Sequence, residues 1–193
     1  MKLFKELTPL LMAVVLLLAS HVGCSPLSEK ETDPGAGMNG SFEVARNGLP
    51  VNWLIYSPNT VPEADFDILL DREDFREGSQ SLKFVVRKCI TRGGPYSPGF
   101  TNEFSDSGKY KGPGNYQVSF WVKSDGAEFV ISAGGVSGEE GRMRTLMAGN
   151  DTDEGWRYNE FIVNVPEGMW LRLELNVLSP GEFSIDDVRI MKL

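Results

Sequence analysis

The sequence predicts an all-β fold, an antiparallel β-sandwich of jelly-roll type. Apolar and polar residues alternate with period two in several short runs, and turn residues separate those runs. No stretch holds an apolar stripe at helical spacing for three turns, which disfavours a parallel α/β sheet.

At the N-terminus, Lys2 and Lys5 precede an apolar run from Leu10 to Ala19, and Gly23-Cys24 follow it. The run is shorter than the ~20 apolar residues of a membrane-spanning helix, so residues 1–23 read as a cleaved signal peptide. Val22-Gly23-Cys24 resembles the lipobox of bacterial lipoproteins, with His21 where that motif prefers Leu. The resemblance implies a mature chain that starts at Cys24, is acylated on its thiol, and is held at the cell envelope, on the outer membrane or cell surface. Acyl chains anchor without a spanning helix, each buried methylene contributing about 0.8 kcal/mol. Residues 24–37 are rich in Ser, Pro, Glu, Lys and Gly, as a flexible tether is. Residues 38–193 have the usual size of one domain and can bury a real core.

Within that domain, Glu63-Ala64-Asp65-Phe66-Asp67 reads as an edge strand. Leu82, Phe84 and Val86 alternate with Ser81, Lys83, Val85 and Arg87. Tyr116, Val118, Phe120 and Val122 alternate with Gln117, Ser119, Trp121 and Lys123, and Leu171, Leu173, Leu175 and Val177 alternate with Arg172, Glu174 and Asn176. Shorter strands are expected over 128–132, 145–148, 158–165 and 183–191. Ser124-Asp125-Gly126, Gly134-Gly135, Pro166-Glu167-Gly168 and Ser179-Pro180-Gly181 read as the turns. The segment 91–114 is Gly- and Pro-rich, with one short strand expected near 100–104. Its Tyr96, Phe100, Phe104 and Tyr110 either serve a ligand or pack over the open end of the sandwich.

Charge and rare residues exclude several functions. With Lys2, Lys5 and Glu6 removed from 19 basic and 27 acidic residues, the mature chain carries 17 and 26, a formal charge of −9. Nucleic acid is a poor partner for such a surface. The only histidine, His21, lies in the signal peptide, so histidine nucleophile activation, general bases and zinc ligands are excluded together. Cys89 is the one cysteine besides Cys24 and reads as a small buried hydrophobe.

Asn39-Gly40-Ser41-Phe42-Glu43, Pro50, Trp53, Gly78-Ser79-Gln80-Ser81-Leu82, the run Tyr116 to Ser124, Trp156, and Ile185-Asp186-Asp187-Val188 follow one another in order. The set resembles carbohydrate-binding modules of the family 4, 9 and 22 group, which have the galactose-binding-like jelly roll. The resemblance implies a non-catalytic module that holds a polysaccharide or oligosaccharide on a sheet face. It also implies a structural calcium ion, with Glu43 and Asp186 as side-chain ligands and main-chain oxygens around Ser41 and Ser79.

No motif fixes the sugar site, so physical reasoning supplies it. A pyranose ring stacks its C–H face on an aromatic surface and exchanges hydrogen bonds with polar neighbours. Trp121 should point away from the core, with Gln117 and Lys123 beside it. Arg172, Glu174 and Asn176 would complete the site if both strands lie in one sheet, with Tyr96 from the long loop. Alternatively, the Gly-rich loop covers Trp121. Trp53 and Trp156 match scaffold positions, and Trp170 suits either role.

The expected function is glycan capture without turnover, for partner enzymes or transporters of glycan uptake. A protein-interaction or structural subunit of a cell-surface assembly is the alternative, marked by an exposed apolar patch. Carboxylate glycosidase chemistry is the lesser one. The stretch 63–67 superficially resembles the acidic strand of laminarinase-type enzymes, but Ile68 stands in place of its last Glu.

Overall fold

The computed structural model describes residues 32–90, 92–102, 112–138, 140–151 and 155–193. The signal peptide, Cys24, most of the tether, Phe104 and Tyr110 lie outside the described residues. The strands are β1 (Ala45–Arg46), β2 (Leu49–Pro50), β3 (Trp53–Tyr56), β4 (Asp65–Asp71), β5 (Ser81–Lys88) and β6 (Gly99–Asn102). They continue with β7 (Gly114–Val136), β8 (Gly141–Asp151), β9 (Arg157–Val165), β10 (Trp170–Val177) and β11 (Gly181–Lys192). One turn of 3-10 helix, Gly94–Tyr96, lies between β5 and β6.

Two antiparallel layers form the sandwich. The first runs β4-β5-β11-β7-β9 through the N-terminal half of β7, and the second runs β3-β6-β10-β7-β8 through its C-terminal half. This is the antiparallel jelly-roll sandwich that the alternation predicts.

β7 departs from expectation. Ser124-Asp125-Gly126 and Gly134-Gly135 are not turns but parts of a single strand of 23 residues. Its buried positions run through Tyr116, Val118, Phe120 and Val122, then change parity to Ala127, Phe129, Ile131 and Ala133. The strand thereby presents core residues in both layers. Gly126 takes the bend at φ 74, a left-handed conformation that costs other residues roughly 1–2 kcal/mol.

Aromatic contacts bind the core. Phe42, Trp53 and Phe100 cluster, with Trp53 and Phe100 centroids 4.8 Å apart, and Phe129 meets Phe183 at 4.6 Å. Fully burying each such side chain contributes roughly 1.5–3 kcal/mol. The opening motif is part of this scaffold. The Asn39 side chain accepts from Val44 N and donates to Val44 O and Val51 O, and Trp53 Nε1 donates to Asn39 O.

The tether ends sooner than expected. Asp33 and Ala36 are buried, Gly37 N donates to Asp33 O, and Asp33 Oδ1 accepts from Gly35 N and Ala36 N. This polar stretch packs because the Asp33 turn satisfies its own backbone donors.

Candidate functional site

The residues expected to form one sugar site fall on opposite faces of the sandwich. Gln117, Trp121 and Lys123 lie on the outer face of the first layer, on the half of β7 paired with β9 and β11. Arg172, Glu174 and Asn176 lie on β10, which pairs with the other half of β7. The parity change at the bend separates them.

Trp121 is half-buried, and the loop between β4 and β5 lies over it. The Arg76 guanidinium stands 4.2 Å from its ring centroid, and the Tyr158 ring lies 5.3 Å away. Asp74 of the same loop binds Lys123 Nζ at 2.7 Å and accepts from Trp156 Nε1 at 2.6 Å. Burial alone would raise the Asp74 carboxyl, but these two donors hold it below its usual value. Trp121 and Lys123 are therefore engaged in fixing a loop. Gln117 sits between Met191 and Ile162, both about half exposed.

The outer face of the second layer has the other character. Strand register aligns Leu54, Thr101, Glu174, Ser132 and Thr145 in one row across five strands, about 19 Å at the usual strand spacing. Tyr56, Gly99, Asn176, Val130 and Ala148 form the next row. Arg172 and Trp170 continue the same face of β10, which assigns Trp170 to it, while Trp53 is buried on the inner side. At Gly99 the backbone of β10 passes so close that a Cβ would lie 2.0 Å from Leu175 O. Across the face, the Tyr56 hydroxyl donates to Glu174.

Electrostatics mark the same pair. Burial raises the Glu174 carboxyl, with Arg172 and the Tyr56 hydrogen bond opposing. Burial and the Glu174 charge push the Tyr56 hydroxyl up to about 12. Sequence reasoning missed Tyr56 because β3 is only four residues long. Trp170 was legible, since it shares its parity with Arg172 and Glu174.

Asn176 and Tyr96 have different surroundings from those expected. Asn176 is buried, and its amide pairs with both polar groups of Gly94, accepting from N at 2.9 Å and donating to O at 3.0 Å. It fixes the 3-10 turn. Tyr96 stands on that turn, 57% exposed.

Among the described residues, the acids of 65–67 and the thiol of Cys89 are engaged as follows. Asp65 and Asp67 are both gripped by Arg87, at 2.6 and 2.7 Å, on an exposed edge strand. Burial and then the Glu128 charge raise the Cys89 thiol, which packs against the core.

The residues assigned to calcium are brought to the loop between β4 and β5. Glu43 accepts from Ser79 N, Ser79 Oγ and Gln80 N, and Asp186 accepts from Arg76 N, Glu77 N and Asp187 N. Asp186 is fully buried, and desolvation raises its carboxyl to about 6 against those donors. Ser41 Oγ is buried with no hydrogen-bond partner. A cation fits this set: each carboxylate keeps lone-pair capacity, and Ser41 Oγ lacks a donor. No cluster of three or more acidic, His or Cys side chains forms among the described residues, so main-chain and hydroxyl oxygens would complete the shell.

No protein-family model matches the chain, and no curated protein sequence matches it. Solved structures do. The CBM22-1 xylan-binding domain from Paenibacillus barcinonensis Xyn10C superposes with a TM-score of 0.55 at 16% identity, over 79% of this chain and 91% of that one. The C-terminal family 22 carbohydrate-binding module of Clostridium thermocellum Xyn10B gives 0.55 at 15%, over 79% and 91%. The enzymatically active domain of bacteriophage CBA120 tailspike protein 4 gives 0.54 at 16%, over 80% of this chain but 21% of that one. At these identities the likeness concerns architecture, and the chain has the jelly-roll fold of the family 22 carbohydrate-binding modules.

Proposed function

We propose that the protein is a non-catalytic glycan-binding module, carried on a lipid-anchored envelope protein through Cys24, that binds a polysaccharide or oligosaccharide on the outer face of its second layer. One observation carries the reading: Trp170, Arg172, Glu174 and Tyr56 share that face. An aromatic platform beside charged hydrogen-bonding groups suits a pyranose chain. The fold shared with xylan-binding domains supports it. Calcium, held by Glu43, Asp186 and oxygens around Ser41 and Ser79, would tie the β4–β5 loop to the last strand. The captured glycan would pass to partner enzymes or transporters.

The test titrates the purified protein with soluble xylans, β-glucans, mannans and galactans, followed by Trp fluorescence and calorimetry. Saturable binding that Trp170→Ala and Glu174→Gln each weaken at least tenfold, and that Trp121→Ala leaves unchanged, is expected. Saturable binding that only Trp121→Ala removes would move the site to the first layer. A second reading, protein interaction, is favoured by exposed Tyr158, Ile162 and Met191 on that layer. Absence of binding across the panel by a folded protein would select it.

A further inference from the structure

The end of the second layer carries a separate concavity. The β3–β4 loop and the turn before β6 enclose a pocket of about 280 Å3, lined by Thr60, Val61, Pro62, Glu63, Arg92 and Tyr96, among others. That is near the ~300 Å3 lower end of small-molecule sites, the scale of one or two sugar rings rather than a chain.

Both walls are fixed in advance. Ser57 N donates to Thr60 Oγ1, Thr60 Oγ1 donates to Ser57 O, Val61 N donates to Ser57 O, and Val61 is 2% exposed. On the opposite wall, Asn176 holds Gly94 through two hydrogen bonds. Ser97, fully buried, donates to Ile90 O and accepts from Gly93 N. A turn held by two buried polar side chains presents Tyr96 with more than half its surface in solvent. Rigid walls reduce the ordering cost of binding.

The chemistry is that of a sugar. The Tyr96 ring and Pro62 offer apolar surface for a C–H face, Arg92 supplies only donors, and Glu63 supplies acceptors when ionised. The turn also bounds the face described above, because a Cβ on Gly94 would lie 3.8 Å from Glu174 Oε1. A chain lying over Glu174 therefore meets this turn at one end.

We propose that the pocket between residues 57–64 and 92–98 is a second sugar subsite that takes a single terminal ring, so that the protein recognises glycan chain ends as well as chain interiors. This rests on the glycan-binding reading.

The experiment measures binding by saturation-transfer NMR and calorimetry for the unmodified protein and for Tyr96→Ala, Arg92→Ala and Glu174→Gln. The probes are xylose, glucose, galactose and mannose, their hexasaccharides in β-1,4 linkage, and the borohydride-reduced hexasaccharides. Monosaccharide binding that falls at least tenfold in Tyr96→Ala and in Arg92→Ala, with an unchanged melting temperature, is expected, while Glu174→Gln weakens the hexasaccharides. Sugar binding that survives both pocket substitutions and is lost only in Glu174→Gln overturns the inference and leaves the functional reading standing. No sugar bound by the unmodified protein overturns both.

Discussion

Replacing Asn176 with Ala separates a scaffold role from a ligand role. The side chain makes two hydrogen bonds to Gly94, at 2.9 and 3.0 Å, and is 5% exposed. Each such bond contributes about 1 kcal/mol net, and the half-buried Gly94 groups recover part of their partners from water. The expected loss is about 2 kcal/mol. For a domain of this size that lowers Tm by about 4–8 °C. Urea unfolding measures the loss, and amide exchange should speed up at Gly94 N–H, with less effect in the strands. Asn176→Asp keeps the acceptor for Gly94 N but turns a buried carboxylate oxygen toward Gly94 O, and should lose at least as much as Asn176→Ala. Full stability in Asn176→Ala, with unchanged exchange at Gly94, would refute the reasoning, and selective loss of sugar binding would then make Asn176 a ligand.

The bend of β7 predicts that Gly126→Ala costs about 1–2 kcal/mol purely through φ, since no atom lies within 4 Å of the added Cβ. A loss below about 0.5 kcal/mol in chemical denaturation would contradict that. Asp186 sets a pH dependence. Its folded pKa of about 6 lies above the ordinary carboxyl value, so the folded state holds the extra proton between about pH 4 and 6. Stability from this group is then present below about pH 4 and lost as pH rises to 6, by about 2–3 kcal/mol. The stability difference between the unmodified protein and Asp186→Asn in chelator should show that fall, and millimolar calcium should abolish it. A flat difference in chelator would defeat the assignment, and a calcium-independent fall would defeat the metal.

Sequence alone determined which residues face the core. Alternation along 82–87, 116–123 and 171–177 is a local property, because successive side chains of a strand point to opposite sides whatever the strand pairs with. The same parity placed Trp121 and Glu174 outside. It left open which outside, since ladder partners such as Leu173 and Ala133 are distant in the chain. Only the tertiary structure showed that Ser124-Asp125-Gly126 bends a strand instead of ending it, sending its two halves into different layers. That single bend moved Trp121 away from Glu174 and beneath Arg76. Asn176 was equally hidden, because an amide on a polar face reads as a ligand until the chain returns and lays Gly94 against it. Composition and period fix a side chain's environment class, whereas its partner depends on long-range packing that no local pattern encodes.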